Sequence, residues 1–204
     1  MRIRHRELEA CRVSPGSWVA SQQVPPAPRK FGYGRALSLA ICEFHKTESM
    51  GAATAKLNGY VTKNFTNEKR IEELYENLAI YAAWFNQAGI ISADANVRIL
   101  FPNGVGWQLG GLISRVDFTP TGYRAILFGK IVPGWQKELR MPLIQSAVAY
   151  KYGRPTSEVS LGMQELGSNT LEEKLFENSI RQQAEVEFTF LGSKVGKLWP
   201  KSRT

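Results

Sequence analysis

A chain of 204 residues with 43% hydrophobic side chains is long enough to bury a real core and too apolar to be mostly disordered. No apolar run approaches the ~18 residues of a membrane span, and no apolar stretch of signal-peptide type follows the charged start Met1–Arg6. A cytoplasmic protein without membrane contact is therefore expected. The net charge of +8 is uneven: residues 1–35 carry +5 and residues 191–204 carry +4, which leaves −1 for the middle. Basic ends around a neutral body suit contact with phosphates, and they equally suit solvated tails. Two cysteines, Cys11 and Cys42, are too few for a four-thiolate metal site and read as small buried hydrophobes.

In chain order, residues 4–12 suggest a short helix ended by Ser14-Pro15-Gly16, and Pro25, Pro26 and Pro28 impose a loop. From Gly34 to about Lys46 the apolar spacing is helical, with Ala36, Leu37, Ala40, Ile41 and Phe44 on one side. Ala52–Val61 forms a weaker helical pattern. Asn67 caps a long helix to Gln87, striped by Ile71, Leu74, Leu78, Tyr81, Ala82 and Phe85 and ended by Gly89. The period then changes to two. Val97, Ile99 and Phe101 alternate, Pro102-Asn103-Gly104 signals a turn, and Trp107–Leu109 and Leu112–Phe118 are extended. Thr119-Pro120-Thr121-Gly122 predicts a hairpin turn into a strand at Tyr123–Phe128, which makes an antiparallel meander. A helix at about 137–152, a strand at Val159–Glu165, a short strand at Leu171–Phe176 and a last helix from Asn178 to about Leu191 follow. Helices, strands, helix, strand, helix is an α/β order with a mixed sheet.

Four blocks in this order resemble the core of the RecB-type PD-(D/E)XK nucleases. Leu109-Gly110-Gly111-Leu112-Ile113-Ser114-Arg115-Val116-Asp117 is similar to the family's "L-x-G-x-I-D-R-V-D" strand. Gly122–Gly129 is similar to "G-x-x-x-I-x-D-Y-K". Leu139–Ala149 is similar to the helix with "L-Q-x-x-x-Y-A", and Gly34–Phe44 to the helix "G-x-x-x-H-x-x-L-x-x-F". Leu8–Trp18 resembles the opening helix and turn of the same group. The resemblance implies a restriction-endonuclease-like core: a mixed central sheet flanked by helices, with an N-terminal helical region. One nuclease-like domain over 1–204 is the corresponding division. It comprises a basic N-terminal segment 1–33, a helical part 34–95, a sheet core with flanking helices 96–191, and a basic tail 192–204.

Chemistry in that family needs a divalent cation held by two carboxylates and a helix histidine, with a lysine beside the second carboxylate. Carried over position by position, the histidine falls at Ser38, the first carboxylate at Ser114, the second at Leu127 and the lysine at Gly129. A neutral hydroxyl does not replace a carboxylate, and leucine offers no ligand. The resemblance therefore implies a pseudo-nuclease with no metal. Asp117 and Gln145 remain as remnants. Asp117, three residues beyond Ser114, is expected on the opposite sheet face unless a bulge intervenes, as an exposed partner of Arg115 or Arg124. Gln145 either hydrogen-bonds in the old cleft or caps a buried backbone group.

Three readings follow. The first is a nucleic-acid-binding module, with Arg2, Arg4, Arg6, Arg29, Lys30, Lys194, Lys197 and Lys201 as contacts to DNA or RNA phosphates. The second is a scaffolding subunit that binds other proteins of a DNA-processing or anti-phage defence complex, with Trp135, Leu198 and Trp199 as partner contacts. For Trp135 the alternative is a plug in the cleft a metal would take, and for Trp199 a disordered tail. The third is a Mg- or Mn-dependent nuclease whose site has moved to Glu43, Asp117, Lys130, Glu138 and Gln145. Only His5 and His45 are present, and neither carries metal-ligand spacing or a nucleophile motif.

Overall fold

The computed structural model describes residues 1–25, 31–102 and 106–200. Arg29, Lys30, Lys201 and the turn at Asn103-Gly104 lie outside the described residues. Chain order is β1 (Arg2–Arg4), α1 (Leu8–Val13), α2 (Pro15–Gln22), α3 (Tyr33–Thr47), α4 (Met50–Asn64), α5 (Glu68–Gln87), β2 (Ser92–Pro102) and β3 (Gln108–Thr119). It continues with β4 (Gly122–Phe128), α6 (Arg140–Tyr152), β5 (Val159–Gln164), β6 (Leu171–Lys174) and α7 (Asn178–Leu198).

Most elements follow from local signals. The Asn67 side chain accepts a hydrogen bond from Arg70 N at 3.0 Å and so starts α5 as expected. Thr119 pairs with Gly122 across Pro120-Thr121, which closes the β3–β4 hairpin. Gly122 is required there: at φ +143, a Cβ would sit 2.4 Å from Glu158 O.

Three expectations are corrected. Arg4 does not begin a helix. Arg2–Arg4 instead pair in parallel with Gln108–Gly110, and Ile3 is buried between two exposed arginines. Burial of Ile3 against the sheet overrides a weak helical pattern. A helix does end at Ser14, but another starts at Pro15, where the first-turn position wastes no hydrogen bond. The last helix runs on to Leu198 rather than stopping near Leu191. Ala184, Phe188, Leu191 and Val195, spaced four, three and four, are all buried, so the start of the basic tail is the end of α7.

The sheet is mixed. β3 is its spine: β2 pairs antiparallel along one edge, and β1 and β4 share the other, β1 at Gln108–Gly110 and β4 at Arg115–Thr119. β5 continues parallel to β4, and β6 closes the sheet antiparallel. Apolar side chains separate to its two faces. Ile113, Val116, Leu127 and Leu161 join Leu8, Trp18, Leu143, Val148 and Phe188 on the face covered by α1, α2, α6 and α7. The other cluster is built from α3, α4 and α5 (Leu37, Ile41, Leu57, Leu78, Tyr81), with Phe128 packed against it from the sheet.

Candidate functional site

Each position of the nuclease pattern has a definite place. Leu127 is 4% exposed and sits among the apolar side chains beneath α6 and α7, where no solvent or ion reaches it. Gly129 follows it with its N–H donated to Gln164 O at 3.0 Å. Ser114 is buried, and its Oγ accepts the Phe128 N–H at 2.9 Å in place of a backbone ladder bond. Ser38 is half-buried on α3, one turn before Cys42, whose thiol hydrogen-bonds the Asn96 side chain.

Strand alternation breaks at this point. Ile113 and Val116, an odd number of residues apart, both enter the core beneath α6 and α7. Opposite, between the pairs Ala95–Arg115 and Val97–Ile113, Asn96 has φ +53. Asparagine tolerates that left-handed conformation better than most residues. The slip anticipated as a bulge is thus a paired distortion at Asn96 and Ser114. Replacing Ser114 by Ala should leave the Phe128 N–H without its acceptor. A loss of about 1–3 kcal/mol in chemical denaturation is expected, without any change in exposed charge.

Asp117 is buried, not exposed as expected, and it serves both arginines. Its Oδ1 accepts from Arg115 Nε, and its Oδ2 accepts from Arg115 Nη2 at 3.0 Å and from Arg124 Nε and Nη2 at 3.1 and 3.0 Å. Arg124 continues to Glu173 at 3.2 Å. Arg115 is ringed by Tyr81, Trp84, Phe85 and Phe128, each 5.2–5.7 Å from its guanidinium carbon. Burial works against its charge, but Tyr81 and Asp117 outweigh that and hold it protonated. Tyr81 Oη accepts from Arg115 and lies 2.7 Å from His45 Nε2. Burial, reinforced by Arg115, lowers His45 to a pKa of about 4, so the ring beside Tyr81 is neutral.

This arrangement does not fit a divalent cation. Asp117 has its lone pairs committed to two guanidinium groups, Ser114 is committed to a backbone N–H, and Leu127 and Gly129 have nothing to offer. The relocated set does not assemble either. Glu43 faces Lys56 at 3.9 Å, and Glu138 pairs with Arg140. Gln145 caps backbone: it donates to Thr156 O and Phe176 O at 2.9 and 3.3 Å and accepts from Phe176 N at 2.9 Å. Among the described residues, no three His, Cys, Asp or Glu side chains lie close enough to share a metal.

The basic ends, far apart in sequence, meet. The amino group of Met1 donates to Gly106 O at 2.8 Å, so β1 lies beside Trp107. The last turns of α7 reach the same place: a Cβ on Gly196 would be 3.5 Å from Trp107 Nε1, and Trp199 packs 5.8 Å from Trp107 and 6.2 Å from Trp18. The segments that carry exposed Arg2, Arg4, Arg6, Lys194 and Lys197 therefore end near one another, with Arg2 and Arg4 on the sheet face away from α7. Charge counting found these cations but missed exposed Arg98 on β2, because nothing local marks it.

The expected partner contacts change. Trp135 is 1% exposed, and its Nε1 donates to Glu172 at 2.7 Å, so it fills the core and offers no ring for stacking. Trp199 holds the end of α7 to the body, and Leu198 alone remains exposed. The prominent exposed apolar residues of α7 are instead Val186 and Phe190, beside a groove of about 820 Å³ that α7 forms with Phe101 and Pro102.

No protein-family model matches the chain, and no curated protein matches it. Among solved structures, the chain is similar to a candidate exonuclease from Eubacterium rectale. The TM-score is 0.55 at 8% identity, over 85% of this chain and 70% of that one. Matches to the protein SSO0001 (TM-score 0.37, 10% identity, 96% of this chain and 87% of that one) and to VC1899 from Vibrio cholerae (0.31, 10%, 96% and 54%) carry no argument at those scores. The fold is nuclease-like: a mixed α/β sheet flanked by helices on both faces. No described helix is long and apolar enough to cross a membrane.

Proposed function

We propose that this chain is a RecB-type PD-(D/E)XK nuclease-like protein that binds DNA or RNA without cutting it, as a subunit of a DNA-processing or anti-phage defence complex. The observation that carries this reading is the state of Asp117. The one carboxylate left in the strand motif is buried between two arginines, and the neighbouring motif positions supply no second anion. The meeting of the segments that carry Arg2, Arg4, Arg6, Lys194 and Lys197 supports the binding half of the proposal. Exposed Val186 and Phe190 support a protein partner as well.

The test is incubation of the full chain with labelled single- and double-stranded DNA and RNA, with and without Mn²⁺. The expected result is no cleavage in any lane and binding that weakens with salt, by about 0.7–0.9 in log–log slope for each phosphate neutralised. Mn²⁺-dependent cleavage would overturn the non-cutting part. An affinity flat across salt would overturn the phosphate contacts.

A further inference from the structure

We propose that the uncovered half of the sheet, where β1, the start of β3 and the end of β2 lie side by side, is the face that holds the nucleic-acid backbone. Arg2, Arg4 and Arg98 are its phosphate contacts, and Leu100 and Leu112 form its apolar floor. The proposal rests on the nucleic-acid reading above and assigns it a place.

Strand alternation selects these residues. Ile3, Val97, Ile99, Leu109 and Ile113 all point into the core beneath α6 and α7. Their neighbours Arg2, Arg4, Arg98, Leu100, Gly110 and Leu112 therefore share the opposite face. Farther along the sheet α5 encloses Arg115, Asp117 and Phe128, and α3 packs against β2. Here that face is open: no residue of β1, of β2, or of β3 before Ser114 enters the α3–α5 cluster, and Leu100 and Leu112 are 37% and 47% exposed.

The register sets the layout. Arg4, Gly110 and Leu100 form one row across the three strands, and Leu112 and Arg98 lie side by side in the next. β1 and β2 are two strand spacings apart, roughly 9.5 Å, so cations flank a narrow apolar strip on both sides. Gly110 keeps the strip low. A Cβ there would lie 2.5 Å from Arg2 Cδ, so the Arg2 stem rests flat on the glycine. Among the described residues of these strand segments, none on this face is Asp or Glu; Glu7 pairs with Arg4 at 3.3 Å. A nucleic acid, anionic along its backbone and apolar on sugar and base faces, matches both parts of the pattern. An acidic peptide matches the cations alone.

The experiment is fluorescence anisotropy of the full chain with labelled single-stranded and duplex oligonucleotides over a salt series, with polyglutamate as competitor. Arg2→Gln and Arg98→Gln should each weaken binding roughly five- to tenfold and reduce the log–log salt slope by about 0.7–0.9. Lys174→Glu, on β6 at the far edge of the sheet, should leave both unchanged. Unfolding midpoints should not move, because these side chains are exposed. A photo-crosslinker attached through Leu112→Cys should capture the oligonucleotide. If the wild type binds while both arginine variants keep its slope, or Leu112 captures nothing, the assignment of this face falls and the binding reading stands. If the wild type binds no oligonucleotide, the reading itself fails. Displacement by polyglutamate as effective as by unlabelled oligonucleotide would overturn the preference for nucleic acid.

Discussion

Asp117→Ala should destabilise the chain by about 3–5 kcal/mol, as seen in a lowered urea midpoint or in material that fails to fold. The substitution strands Arg115, fully buried, without its anion, and removing one partner of a buried pair carries that cost. Against a typical total stability of about 5–15 kcal/mol the loss is large. Arg124→Ala should cost less: its side chain is partly exposed, and Asp117 keeps Arg115. Replacing Arg115 and Asp117 together by leucine should recover much of the loss, since both charges leave the core. An Asp117→Ala protein within about 0.5 kcal/mol of wild type would contradict the buried network. The result also bears on function. Loss of any activity in Asp117→Ala is uninformative about metal binding unless folding is measured beside it.

Stability should fall as pH drops from about 6.5 to about 4, and two histidines set that window. His5 is buried under β3, its Nε2 3.1 Å from Leu112 O. Its packing requires Gly111, where a Cβ would lie 2.2 Å from the ring. Burial lowers its pKa to about 4; the hydrogen bond to Leu112 O opposes this, and Arg140 and Arg6 add to it. His45 is lowered to about 4 as well, by burial first and then Arg115. The sign follows directly. Between the folded value near 4 and the unfolded value near 6.5, the unfolded chain binds more protons, so acid favours unfolding. Above pH 6.5 both rings are neutral in both states and the full contribution is present. Through the window each histidine removes up to about 1.4 kcal/mol per pH unit. His45→Gln and His5→Asn, compared with wild type at pH 7 and pH 5, should each flatten the pH dependence by about half. A wild-type stability that is level between those pH values would refute the account.

The sequence alone determined the elements whose signals are local. The Asn67 cap and the stripe from Ile71 to Phe85 specify α5, and Thr119–Gly122 specifies the hairpin, because both depend on residues within a few positions of one another. The order of blocks was legible for the same reason and led to a nuclease-like fold. So was the absence of carboxylates at Ser114 and Leu127, which is a matter of residue identity. Tertiary structure alone decided the rest. Three residues are too few to show a period, so β1 exists only because Ile3 finds a place beside Leu109. Asp117 meets Arg124 through the register of two strands, and Arg115 becomes its buried partner because α5 lays Tyr81 and Trp84 over that part of the sheet. Arg98 stands in solvent because the apolar cluster of α3–α5 takes in no residue of β2. Which half of a face is covered depends on contacts between residues distant in sequence, and that is why the sheet face and its arginines could not be read from the chain.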